Sequence, residues 1–134
     1  THPHTSGRVR AVQRLANARM LGAWDDSPLL QPFTQAMGIE PRSKQEILDD
    51  PNVHAVYIHS KSYRMADLSI EALEAGKAVL CEKPLANSVE EARVVRATYL
   101  KNKTKLATQC GTQRHEDENF NPSCRARERE RENL

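Results

Sequence analysis

Apolar residues recur along this chain in two rhythms. In Val53–Ile58 (VHAVYI) and Ala78–Cys81 (AVLC) they form short β-rich runs, as in strands covered on both faces. Arg19–Trp24 (RMLGAW) and Leu106–Cys110 are read the same way. Elsewhere the spacing is helical. Val9, Val12 and Leu15-Ala16 mark a helix over 7–17. Leu29, Leu30, Phe33 and Met37 share a face behind a Ser27-Pro28 start, and Gly38 ends that helix. Pro32 fits poorly inside it, which argues for a later start. Ser43 and Glu46 make a capping box for a short helix that stops before Pro51. Met65, Leu68, Ala72 and Ala75 line a further helix, closed by Gly76. Ser88 and Glu91 open the last one, whose Val89, Ala92, Val95 and Tyr99 share a side and whose end carries Lys101, Lys103 and Lys105. From Arg19 the order is strand–helix–helix–strand–helix–strand–helix–strand. That alternation predicts an α/β fold with a parallel sheet and helical crossovers.

Composition narrows the picture. A chain of 134 residues is one domain, and 4% aromatic residues leave it an aliphatic core of modest size. A net charge of +2 points to neither nucleic acid nor membrane, and no run approaches the length of a membrane span. Cys81, Cys110 and Cys124 lack metal-ligand spacing; Cys81 and Cys110 sit in apolar runs and read as packed thiols in a reducing compartment, so a cytoplasmic location is expected. His2 and His4 have no acidic or thiol neighbours to complete a metal site, and no metal is expected.

The chemistry concentrates in Leu73–Ala86 (LEAGKAVLCEKPLA). A helix ends, a strand follows at once, and the strand breaks at Glu82-Lys83-Pro84. That puts a carboxylate, an amine and a stiff turn at the strand's C-terminal end, where open α/β sheets bind ligands. Lys83 is a candidate for holding a substrate oxygen or moving a proton, with a plain surface Glu–Lys pair as the alternative. Asp25 follows a strand and precedes a turn, the place of the carboxylate that bonds adenosine ribose hydroxyls in dinucleotide folds. Asp25 or Asp26 could equally start the next turn. A carboxylate there favours NAD over NADP, whose 2′-phosphate it would repel.

The run AGKAVLCEKPLA resembles the signature of the glucose–fructose oxidoreductase and inositol dehydrogenase (Gfo/Idh/MocA) family, AGK-x-V-x-x-EKP-x-A. Ala75, Gly76, Lys77, Val79, Glu82, Lys83 and Pro84 carry the match, which continues more loosely from Gly7 to Arg114. The resemblance implies a nicotinamide-dependent oxidoreductase: a Rossmann domain followed by an α+β substrate domain. It implies hydride transfer between NAD(P) and a carbinol or carbonyl carbon of a sugar, polyol or similar alcohol. Lys83 would hold the reacting oxygen, with Glu82 and Pro84 shaping the strand end beside the cofactor. Gly7 would be the last glycine of G-x-G-x-x-G, and Ser60 would stand in the loop that wraps the cofactor, where the family carries Thr-Pro-x-x-x-His. Lys61 and Met65 replace that proline and histidine. Gln113 and Arg114 would reach the substrate side of the cleft.

The first strand and first two glycines of the fingerprint have no counterpart in the sequence, and neither does the substrate domain. Residues 1–118 are therefore read as an incomplete NAD(P)-binding Rossmann domain, weak or inactive alone. Residues 119–134 form a charged tail whose RARERERE alternation predicts disorder. The tail is the one feature that suggests RNA, and its glutamates cancel most of that attraction. The alternative is a non-catalytic nucleotide-binding or protein-interaction module built on the same scaffold. A homo-oligomer is left open by the sequence.

Overall fold

A computed structural model describes residues 3–102 and 107–111. The elements are α1 (Pro3–Gln13), α2 (Leu30–Met37), α3 (Lys44–Asp49), β1 (Ala55–Ile58), α4 (Ser62–Glu74), β2 (Ala78–Glu82), α5 (Val89–Asn102) and β3 (Thr108–Gly111). The strands form one parallel sheet in the order β1-β2-β3. The fold is the expected α/β Rossmann-like arrangement, with α4 and α5 as crossovers.

The alternation of side chains across the sheet explains the core. Ile58, Val79 and Cys81 point to one face and pack with Met65, Ala72 and Leu73 of α4. Leu48, Leu68, Leu85 and Tyr99 close the rim of this cluster. Helix α4 ends in a Schellman turn. The N–H of Lys77 reaches the Ala72 carbonyl at 2.9 Å and that of Gly76 the Leu73 carbonyl at 3.1 Å. Gly76 takes φ 76°, a value that L side chains avoid. This turn lets β2 start two residues after the helix cap. Lys77, which the sequence shows only as a polar residue between helix and strand, is buried, and its ammonium reaches the Asp50 carbonyl.

Several elements differ from expectation. Arg19–Trp24 is not a strand. Its one bridge is Ala23 to Pro41, made by Ala23 N–H on Glu40 O and Arg42 N–H on Ala23 O, both at 2.9 Å. A β-rich run becomes a ladder only where a neighbour pairs along its length, and here the pairing reaches a single position. Helix α1 begins at Pro3 rather than at Gly7, because proline suits the first helical position. Helix α2 begins at Leu30, which leaves Pro32 in its first turn, where no backbone donor is needed. Its most buried residue is Thr34, whose hydroxyl donates back to Leu30 O and Gln31 O at 3.0 Å. Helix α4 begins at Ser62, ahead of the predicted Met65, and Val89 of α5 is exposed rather than part of the packed side. Lys103, Lys105, Leu106, Cys124 and the tail lie outside the described residues.

Candidate functional site

The C-terminal ends of β1, β2 and β3 gather the candidate groups. Because register pairs Tyr57 with Leu80 and Glu82 with Gly111, the residues Tyr57, Leu80, Glu82 and Gly111 share the face opposite the core. Glu82 is the last residue of β2, and its carboxylate is the hub. Tyr57 Oη donates to Glu82 Oε1 at 3.1 Å. Arg8, from the second turn of α1, reaches the same oxygen at 2.5 Å. Its guanidinium also stands 5.7 Å from the centre of the Tyr57 ring, a cation–π distance. Burial, and after it the bond to Glu82, pushes the Tyr57 hydroxyl up to about 12, so it is a donor at neutral pH.

Lys83 follows Glu82 directly, and the Lys83–Pro84 peptide is cis. Both residues are exposed, while Leu85 turns back onto the core. Two residues after β1 stands Ser60, half-buried, with its N–H on Met65 Sδ at 3.3 Å. Next to it, His59 Nδ1 and Thr5 Oγ1 lie 2.5 Å apart and join α1 to the β1 end. Met65, at the family's histidine position, is 1% exposed and belongs to the core. It therefore anchors the loop from beneath.

Asp25 is exposed, and its Oδ1 accepts the Ser27 N–H at 2.7 Å, the turn-starting contact. The neighbouring Asp26 pairs with Arg64 in the first turn of α4, and Arg64 also stands 5.2 Å over the Trp24 ring. These contacts tie the Asp25 turn to the helix that follows Ser60, so both residues lie toward the same edge. The described contacts do not bring Asp25 to Glu82 or Lys83. Gly7 lies within α1 instead of at its entrance, exposed, with open space where a Cβ would stand. Gln113 and Arg114 lie outside the described residues.

Sequence reasoning missed Tyr57 and Arg8. The signal for Tyr57 was the parallel alternation, which puts every second residue of β1 beside Glu82 once the register is known. Arg8 left no such signal, because its contact depends on how α1 docks. Cys81 and Cys110 are register partners on the core side, and burial pushes both thiols up, the state of packed rather than reactive cysteines. Among the described residues no group of three or more metal-binding side chains exists, and no helix is long and apolar enough to cross a membrane.

Asp25 presents an exposed carboxylate, Ser60 a half-buried residue after β1, and Lys83 an exposed side chain beside the held Glu82 carboxylate. Residues 5–109 match the family model described as "Oxidoreductase family, NAD-binding Rossmann fold". The chain is 32% identical over 99 residues to inositol 2-dehydrogenase 3 of Saccharopolyspora erythraea, covering 71% of this chain and 29% of that protein. It is 33% identical over 94 residues to myo-inositol 2-dehydrogenase of Thermotoga maritima, covering 68% and 27%. The crystal structure of an NAD-binding protein from Listeria innocua superposes with a TM-score of 0.77 at 27% identity, over 89% of this chain and 35% of that one. The chain thus spans about a third or less of the length of these proteins.

Proposed function

Because the chain belongs to the Gfo/Idh/MocA oxidoreductase family and carries its NAD(P)-binding Rossmann scaffold, related to sugar and polyol dehydrogenases, we propose that it serves hydride transfer at a hydroxyl-bearing carbon of a sugar, polyol or related alcohol. The observation that carries this reading is the exit of Glu82 and Lys83 from the middle strand of a parallel sheet, at its C-terminal end. The nicotinamide, when bound, accepts or returns the hydride. The chain's own residues do the rest. Lys83 holds the reacting oxygen and takes or returns its proton. Glu82 and Pro84 fix the turn from which Lys83 projects. Asp25 accepts from the ribose diol and selects NAD over NADP, Ser60 supports the cofactor loop, and Gly7 lies on the helix that approaches the strand ends. Gln113 and Arg114 contribute to the substrate side. Residues 1–118 act as the cofactor-binding unit, and 119–134 as an appended tail.

One observation favours a second reading, a nucleotide-binding or interaction module without catalysis. Met65 occupies the family's histidine position with a side chain sunk in the core. Fluorescence titration with NADH and NADPH separates the two readings, alongside circular dichroism as a check on folding. Saturable binding of NADH, tighter than of NADPH, with Lys83→Ala abolishing turnover of a polyol, supports the oxidoreductase. Binding that Lys83→Ala leaves unchanged, with no turnover, favours the module. A folded chain that binds neither nucleotide overturns the oxidoreductase and favours the interaction module.

A further inference from the structure

Glu82 is enclosed by one residue from each neighbouring strand. Tyr57 on β1 donates to Oε1. Gly111 on β3 lies beneath the carboxyl group, and a Cβ there would stand 3.0 Å from Oε2 and 3.1 Å from Cδ. That is tighter than most side-chain contacts, so an added Cβ would make the carboxylate give way by a few tenths of an ångström. Arg8 closes a third side from α1.

We propose that Tyr57 is the positioning residue for Glu82, with Gly111 supplying the space, so that the carboxylate meets the bound nucleotide at the strand end already oriented. The inference rests on reading this strand end as the dinucleotide site. A glutamate on three rotatable bonds samples many positions, and a ligand must freeze it on binding. The Tyr57 hydroxyl, held as a donor at neutral pH, removes that freedom in advance. The groups facing Tyr57 are Arg8 of α1, Glu82 of β2, and His59, whose ring centre is 6.3 Å away, with Cys81 behind it on the core side of the sheet. Arg8 and Tyr57 share Oε1, so loss of the hydroxyl leaves the arginine free to draw the carboxylate toward α1. Ring packing, by contrast, is unchanged in Tyr57→Phe.

The test is NADH titration of the chain and of Tyr57→Phe, Glu82→Gln and the double variant, with melting curves for each. Tyr57→Phe is expected to weaken NADH about tenfold, as the loss of one hydrogen bond to a charged group does, and to melt with the parent chain. In the Glu82→Gln background the same substitution is expected to change nothing further, which a purely structural role for Tyr57 would not produce. A spectroscopic signature accompanies this: the late ultraviolet step of tyrosine ionisation, lost in Tyr57→Phe, moves to lower pH in Glu82→Gln. Gly111→Ala should mimic the affinity loss. If the parent chain binds NADH and Tyr57→Phe binds it equally well, the positioning role is overturned while the nucleotide site stands. If the folded parent chain binds no NADH, the site itself is overturned and the role with it.

Discussion

The ammonium of Lys77 donates to the backbone carbonyl of Asp50 at 2.6 Å, and the lysine that does so is only 6% exposed. One buried cation therefore ties the start of β2 to the loop that leaves α3. The same Asp50 accepts from Arg42 at 2.9 Å and from the Asn52 N–H at 2.8 Å through its side chain. The signature lysine thus works on the fold, away from the strand-end chemistry. Lys77→Met keeps the stem and removes this donor, while the Val53 N–H still reaches the Asp50 carbonyl at 3.1 Å. Denaturant unfolding should show a loss of about 0.5–1.5 kcal/mol.

Asp50 also sets an acid limit. The Asn52 N–H first, and then the Arg42 guanidinium, hold its carboxyl below the usual carboxylate range. A depressed folded-state value means the contribution is present above the unfolded value of about 4 and is lost as pH falls through the folded value. Melting temperature should therefore drop as pH falls below about 4. Asp50→Asn should melt lower at neutral pH and lose less across that interval.

Met65 fills the core beneath the loop at Ser60. Truncation to alanine should cost about 2–5 kcal/mol, as for other large-to-small core changes. Met65→Leu preserves the volume and loses the sulfur that accepts from Ser60 N–H, so it should cost less than about 1.5 kcal/mol. Equilibrium unfolding of the two variants separates packing from the loop contact. An equal loss in both would mean that the sulfur contact dominates.

Trp24 is the chain's single tryptophan, which makes its emission a local probe. Arg64 stands 5.2 Å over its ring on one side and Lys44 5.8 Å. Arg64→Ala removes a cation–π contact and the pair with Asp26. Both lie near the surface, so the stability loss should stay within about 1 kcal/mol. The emission should shift to longer wavelength as the 20–26 segment loosens from α4, well before global unfolding.

The readability of this chain followed the range of the forces involved. Local signals were sufficient for Ser43 with Glu46, where both capping bonds form, and for the turn at Gly76. Apolar runs located β1 and β2 because those strands are paired and buried. The run at Arg19–Trp24 is also apolar but holds no β-branched residue, and strand formation needs a partner along its length, which no local pattern reports. The site divided in the same way. Glu82 and Lys83 were visible as a break at a strand end. Tyr57 needed the register, Arg8 needed the docking of α1, and the buried state of Lys77 needed the position of the α3–β1 loop.

Sheet order has a consequence for how this edge of the molecule yields. Among the described strands β2 is paired on both sides and β1 and β3 lie at the margins, while the 20–24 segment holds by one bridge and the contacts of Trp24 with Arg64 and Lys44. Amide exchange should therefore be slowest in β2 and fastest in the 20–24 segment. Glu82 and Lys83 hang from the strand that opens last. The carboxylate of Asp25 hangs from the piece that opens first. A nucleotide lying along this edge would meet a rigid wall at its reacting end and a pliant one at its adenosine end, and much of its binding free energy would go into ordering the second.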